Sequence, residues 1–349
     1  SQESLSQIED VTFQVGRTGT ITPVAELSPI NIGGVRVARA TLHNFSEINT
    51  KDIRINDYVY VKRAGDVIPD IDRVEFTKRE RTQKIKPPKK CPSCGSLLEK
   101  IDGQVAYRCT NHKNCIPQIE QSIIHFISRK AMNIQGIGNQ LIKELVSKKI
   151  ISKSADLYTL TDKDLKKLDR VGDKSINNYL SSIQASKKIT FSKFIYALGI
   201  REVGESSSRA LASEFKSINE LITCQHEVLV KIDDIGPIVA KNILAYFKDQ
   251  YYKSNVDNLI SSGIDLIYQT RKAIKQLSIV ITGSFDGYKR SDLSDIFEAN
   301  GYKISNTISK NTDILICGDK PGSKLKKAQN YGIKIIQQDG LVKLLSEFH

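Results

Sequence analysis

Four of the six cysteines of this 349-residue chain are crowded into one short stretch. They run as Cys91-x2-Cys94, fourteen intervening residues, then Cys109-x5-Cys115. Thiols at such spacing have three chemistries open to them: a disulfide, a redox pair or a metal clamp. A clamp needs two cysteine pairs brought to one point. "CPSCGS" supplies the first pair, with Pro92 and Gly95 favouring a tight knuckle. A hairpin through "EKIDGQVAYR", turning at Asp102-Gly103, would deliver the second. The opening "SQESLSQIED" shows no secretory leader, which argues against disulfides. "GSLLEKIDG" is too short and turn-rich to be the helix that follows a thioredoxin-type pair. The expectation is a structural four-thiolate zinc site on Cys91, Cys94, Cys109 and Cys115. His112 could substitute as a ligand, but four thiolates suffice, so a surface loop position is expected for it. Cys224 and Cys317 are isolated and read as buried small hydrophobes.

The same stretch holds Lys100-Ile101-Asp102-Gly103, which has the K-x-D-G form of a nucleotidyltransferase signature. A nucleophilic lysine needs a pocket that lowers its pKa. Lys100 is placed instead on a hairpin tip, so the match reads as coincidence.

A second pattern begins after the cysteines. The pentad apolar-x-x-apolar-Gly recurs as "IQGIG", "LDRVG", "IREVG" and "IDDIG", with final glycines at 138, 172, 204 and 236, at intervals of 34, 32 and 32. Each is followed by a one-sided apolar run, and Pro237 falls where a first helical turn tolerates it. One such glycine is usually a helix cap; four at near-constant spacing indicate a repeated unit. A tetratricopeptide-like solenoid would show aromatic and small residues at fixed helix positions, which are not found. Tandem helix–hairpin–helix units fit better. There glycine lets the backbone approach a ligand, and the next helix offers free N–H groups to a phosphate, whatever the base. The candidate contacts are Gly136, Gly138, Gly172, Lys174, Gly204 and Gly236.

These elements need a frame. Residues 11–76 alternate like strands ("VTFQVG", "GTITPVAEL", "VRVARATL", "DYVYVKRAG"), with turns at Gly16, Gly33-Gly34 and Asn56-Asp57. This predicts a small, closed or nearly closed barrel of about five strands. Residues 77–90 read as a basic linker, with a solvated tether as the plain alternative. Beyond a polar linker at 252–276, strand–helix alternation from "SIVITG" predicts a small parallel sheet flanked by helices. Thr282, Gly283 and Lys324 could hold a phosphate there, although a turn and a surface lysine is the simpler reading. The fold class expected is multidomain: barrel 1–76, zinc module 91–118, all-α repeats 119–251 and α/β domain 277–349.

Fifty-two Lys and Arg against thirty-nine Asp and Glu leave a formal charge of +13. That excess suits a polyanionic partner, although solubility alone would also explain it. With no Trp and 7% aromatic residues, phosphate contact is favoured over base stacking. No apolar run approaches the ~20 residues of a membrane span.

The order of domains, with "FQVGRTGTITPVA", "ATLHN", "RAGDVIP", the cysteine spacing, "HFISRKAMNIQGIG", "FIYALGIREVGE" and "TGSF…GSKLKKAQ", resembles the C-terminal part of bacterial NAD-dependent DNA ligases. The resemblance covers the whole chain and is weakest over 252–276. It implies an oligonucleotide-fold (OB) barrel gripping a nicked duplex through Arg17, Thr18, Arg63, Val67 and Ile68. It further implies a helix–hairpin–helix domain closing the clamp, a zinc finger joining the two, and a terminal BRCT domain. The family's adenylating lysine and NAD site precede the barrel and are not in this chain. A monomeric, cytoplasmic, nucleoid-associated chain is expected, requiring an adenylation domain, NAD and Mg to seal DNA. A non-enzymatic repair scaffold and a zinc-linked, nuclease-associated module are the rival readings.

Overall fold

The computed structural model describes residues 2–63, 69–100, 106–169, 171–268 and 277–346, without the side chains of Gln2 and Arg63. The chain divides into two compact units, residues 1–269 and 270–349.

The first unit begins with a closed five-stranded barrel. Its strands are β1 (Gln2–Val15), β2 (Ile21–Ile32), β3 (Val35–Thr41), β4 (Tyr58–Arg63) and β5 (Asp70–Val74), joined in the order β1-β2-β3-β5-β4. Gly33 and Gly34 both take positive φ, which gives the tight two-residue turn between β2 and β3. Alternate residues point inward, so Ile8, Ala25, Leu27, Val59, Val61 and Ile71 form the core. Helix α1 (Phe45–Thr50) closes one end, burying Phe45 and Ile48, and the Asn44 side chain caps it by accepting from the Glu47 amide. The strand-like reading of this region passed over that helix. Six residues are too few to show helical periodicity, but the Asn44 cap was visible in "LHNFSEI".

The segment 77–90 is not a free tether. Arg79 donates to Asp57 at 2.7–2.8 Å and lies with its guanidinium 4.7 Å from the Phe76 ring centroid. Gln83–Lys84 pairs with Arg54–Ile55, and Ile85 enters the barrel core. Asp57 is fully buried. Replacing Arg79 with Met would leave that carboxylate without its main cation. A loss of about 3 kcal/mol in barrel stability is expected, measurable by urea unfolding.

The finger hairpin pairs β6 (Leu98–Lys100) with β7 (Tyr107–Cys109). It runs into the helical domain through α2 (Ile116–Ile127), whose N-cap is Cys115. Four further helices each start directly after a pentad glycine: α3 (Asn139–Ser147), α4 (Asp173–Ala185), α6 (Glu205–Glu214) and α7 (Pro237–Lys248). Between them α5 (Phe191–Ala197) buries Phe191 and Phe194. Residues 252–268 are not a linker. Helix α8 (Gln250–Ser261) buries Val256 and Leu259, and Asp265–Ile267 pairs in parallel with Lys188–Thr190. The polar look of 252–263 reflects one exposed helix face, while Val256 and Leu259 share the other.

The second unit is a four-stranded parallel sheet in the order Lys303–Ser305, Ser278–Thr282, Ile314–Cys317, Lys334–Gln337. Ile279 and Ile281 pack on one face with Leu293, Phe297 and Leu341, while Val280, Leu315 and Cys317 pack on the other with Ala328. Cys317 is buried as expected, whereas Cys224 is only partly so. Among the described residues no helix is long and apolar enough to cross a membrane.

Candidate zinc centre and nucleic-acid interface

The sulfurs of Cys91, Cys94, Cys109 and Cys115 lie within 4.8 Å of one another, with Cys94–Cys109 at 3.5 Å and Cys91–Cys115 at 3.9 Å. Tetrahedral zinc with Zn–S bonds near 2.3 Å requires sulfur separations of about 3.8 Å. The four residues present therefore fit the ion. Local backbone explains the convergence. In the first knuckle the Gly95 amide donates to Cys91 O and the Cys91 amide to Ser96 O, with Gly95 at φ 74°. The second pair spans the end of β7 and the start of α2. Burial works to raise the Cys94 thiol, but hydrogen bonds with Ser96 and its neighbouring thiols bring it down to about 6. Burial drives Cys109 and Cys115 upward. Zinc must therefore displace protons from those two thiols.

Lys100 is exposed and sits in the hairpin opposite Tyr107. Ile101, Asp102 and Gly103, with the turn expected there, lie outside the described residues.

The finger is bolted to the barrel by backbone. The Cys109 amide donates to Gly19 O at 2.9 Å, and Gln118 donates to Cys109 O at 3.1 Å. Gly19 has φ +77°, and a Cβ there would stand 2.1 Å from Cys109 O. Only glycine permits this approach. Arg108 adds donations to Thr18 and Thr20. On the other side, the His112 ring stacks on Tyr252 at 4.6 Å and places Nε2 3.3 Å from Asp249. His112 is therefore neither a zinc ligand nor a loop bystander; it docks the finger onto the helical domain. Nothing in "CTNHKNC" signals this, because the partners lie far along the chain.

Arg17 and Thr18 face the same junction. The Arg17 guanidinium donates to Gly199 O at 2.5 Å, beside His125, which donates to Tyr196 O. Burial lowers the pKa of Arg17. Val67 and Ile68 lie outside the described residues, as does the side chain of Arg63.

The four pentad glycines share one geometry. Gly138, Gly172, Gly204 and Gly236 have φ/ψ of −90/168°, −87/161°, −90/−172° and −76/170°. All are exposed helix N-caps, none with a side-chain cap. The third pentad residue takes positive φ in Gly136, Glu202 and Asp234; its counterpart Arg170 lies outside the described residues. At the four caps nothing within 4 Å would meet a Cβ. Neither φ nor packing requires glycine there, and Ser or Asp would cap better. What glycine leaves is a bare set of helix-start N–H groups open to the outside. Charge separates the hairpins. The first has no charged side chain over residues 134–141, whereas the second carries exposed Asp169 and Asp173 beside Lys174, and the third and fourth carry Glu202, Glu205, Asp233 and Asp234.

In the second unit, Thr282 is buried and donates to Pro321 O at 3.1 Å, while Gly283 packs tightly on the Gly318–Asp319 backbone. Arg290 and Lys320 line the shallow pocket beside them, and Lys324 does not.

A closed OB barrel, a four-thiolate finger, glycine-led helical hairpins and a parallel α/β unit are the set of domains that the sequence resemblance implies. The comparisons agree. The NAD-dependent DNA ligase OB-fold domain matches residues 5–83, and the NAD-dependent DNA ligase C4 zinc finger domain matches 90–116. A helix-hairpin-helix motif matches 193–256 and a BRCA1 C Terminus (BRCT) domain 270–345. The chain belongs to the NAD-dependent DNA ligase family and carries the domains of its C-terminal part. It is 41% identical over 355 residues to the DNA ligase of Marinomonas sp. (strain MWYL1), covering 99% of this chain and 53% of that protein. It is 43% identical over 354 residues to that of Francisella philomiragia and 42% identical over 352 to that of Saccharophagus degradans. Each of these alignments covers 99% of this chain and 52% of the relative. The chain thus spans about half the length of the curated relatives it matches.

Proposed function

We propose that this chain supplies the DNA grip of a nick-sealing ligase and depends on a separate adenylation domain for chemistry. The observation that carries the reading is the set of four uncapped, exposed glycine N-caps in one conformation. Bare helix starts hold phosphate without reading bases, as a sealing enzyme requires. The first hairpin, whose pentad and helix start bear no acid, carries most of that contact, together with Lys174 of the second. Arg17 holds the barrel turn against the helical domain and Thr18 holds it to the finger through Arg108, and so they set the angle between two DNA-facing surfaces. Zinc fixes the same angle from the finger side. In the whole enzyme, NAD and Mg serve the adenylation domain, and the assembled chain works as a monomer at the bacterial nucleoid.

The test is a nicked-duplex assay with intact-mass measurement. Alone with NAD and Mg, this chain should gain no AMP and seal nothing, because Lys100 stands exposed on the finger hairpin. With an adenylated adenylation domain added in trans, sealing should rise above that of the added domain alone. An AMP adduct on Lys100 would overturn the reading. Duplex binding without any stimulation of sealing would favour the repair-scaffold alternative.

A further inference from the structure

A cavity of about 500 Å³ opens where the barrel turn, the finger and the helical domain meet. Each module contributes one guanidinium to its wall: Arg17 from the barrel turn, Arg108 from β7 and Arg201 from the third hairpin. The carboxylate in the same wall, Asp249, is engaged with His112. Glu202 stands 3.7 Å from Arg201. Burial lowers both Arg17 and Arg108, and at Arg108 the charge of Arg201 acts the same way while that of Glu202 opposes it. Among the described residues the wall carries four cationic side chains, these three and Lys153, against one carboxylate, and an excess of one sign costs more as water is excluded. A multivalent anion would reverse the sign of that interaction. Guanidinium groups, each with a planar fork of donors, suit phosphate oxygens. Asn242 and Tyr252 complete a polar and aromatic lining, and the volume suits a ligand between pyrophosphate and a mononucleotide in size.

We propose that this cavity binds a small phosphate-bearing anion, which bridges the barrel, the finger and the helical domain through Arg17, Arg108 and Arg201. Binding holds the three modules in one arrangement and is independent of DNA contact at the hairpin glycines. The probe is inorganic pyrophosphate, titrated calorimetrically into the zinc-loaded chain and followed by thermal unfolding, with sodium chloride at matched ionic strength as control. Saturable binding is expected, with a melting temperature that climbs with the logarithm of pyrophosphate concentration. Arg201→Gln should weaken binding about tenfold or more while leaving the melting temperature without ligand nearly unchanged. Should that variant not fold, Asn242→Asp, which adds a carboxylate to the wall, should abolish binding. The absence of saturable binding, or equal affinity in the folded variant, would overturn the proposal. A short duplex that displaces pyrophosphate would also overturn it, by making the cavity a seat for a DNA phosphate. Independent binding of the two would support it.

Discussion

Removing zinc, by chelation or by Cys109→Ser, is expected to detach the finger from both neighbours at once while their cores persist. Cys109 occupies three roles: its sulfur is a ligand, its amide donates to Gly19 O, and its carbonyl accepts from Gln118. Cys115 is both ligand and N-cap of α2. Zinc binding in small fingers is worth about 10–16 kcal/mol of apparent folding free energy. The hairpin buries little apolar surface to replace it, with Leu97 largely exposed. The barrel and the helical domain have cores of their own around Ile71 and Phe194. Hydrogen exchange should therefore quicken over residues 91–118 and the barrel turn at 16–20, and much less elsewhere. Metal analysis should give about one zinc per chain. Acid should act in the same direction. The thiols of Cys109 and Cys115 are raised before metal binds, so each surrenders a proton to zinc near neutral pH. Affinity must then fall as pH falls, and chelation at pH 6 should outrun chelation at pH 8. Zinc-free protein from a reducing preparation with unchanged exchange at 91–118 would refute this.

What was legible in the sequence was local. Cys91-x2-Cys94 forms its knuckle through neighbours, and the pentad glycines start helices through the residues that follow them. Both could be read without the fold. The alternation in β2 and β4 likewise announces a sheet with one buried face. What stayed hidden were pairings between distant segments. Arg79 looks like one more cation in a basic run until Asp57 is seen beneath it. His112 looks like a loop residue until Tyr252 stacks on it. Arg17 shows its charge in the sequence, but not that its guanidinium reaches Gly199 O, 182 residues away. Charge and polarity describe a side chain, not its partner. The helical residues at 252–261 misled for a related reason, since an amphipathic helix with a wide polar face has a linker's composition.

Replacing a pentad glycine by serine is expected to move stability and DNA affinity in opposite directions. At Gly172 the backbone is ordinary N-cap backbone, with φ −87°, and a Cβ would meet nothing. A serine hydroxyl there can accept from the start of α4, which should stabilise the chain by a few tenths of a kcal/mol. The same hydroxyl occupies N–H groups that would otherwise reach a phosphate and stands in the path of its approach. Losing one or two such charge-assisted bonds corresponds to an affinity drop of about tenfold or more. Gly172→Val blocks approach without offering a cap, so it should weaken binding at least as much and lower stability slightly. Salt separates this effect from simple charge. The glycine variants remove no cation, so the slope of log affinity against log salt should stay as in the parent chain. Lys174→Gln removes one, and its slope should become shallower by about one unit. Gly236, in a hairpin bearing Asp233 and Asp234, should respond less than Gly138, whose pentad and helix start bear no acid. Fluorescence anisotropy on a nicked duplex at several salt concentrations measures all of these. If Gly172→Ser and Gly172→Val bind as tightly as the parent chain, the bare helix starts are not phosphate seats, and the grip must lie on the barrel alone.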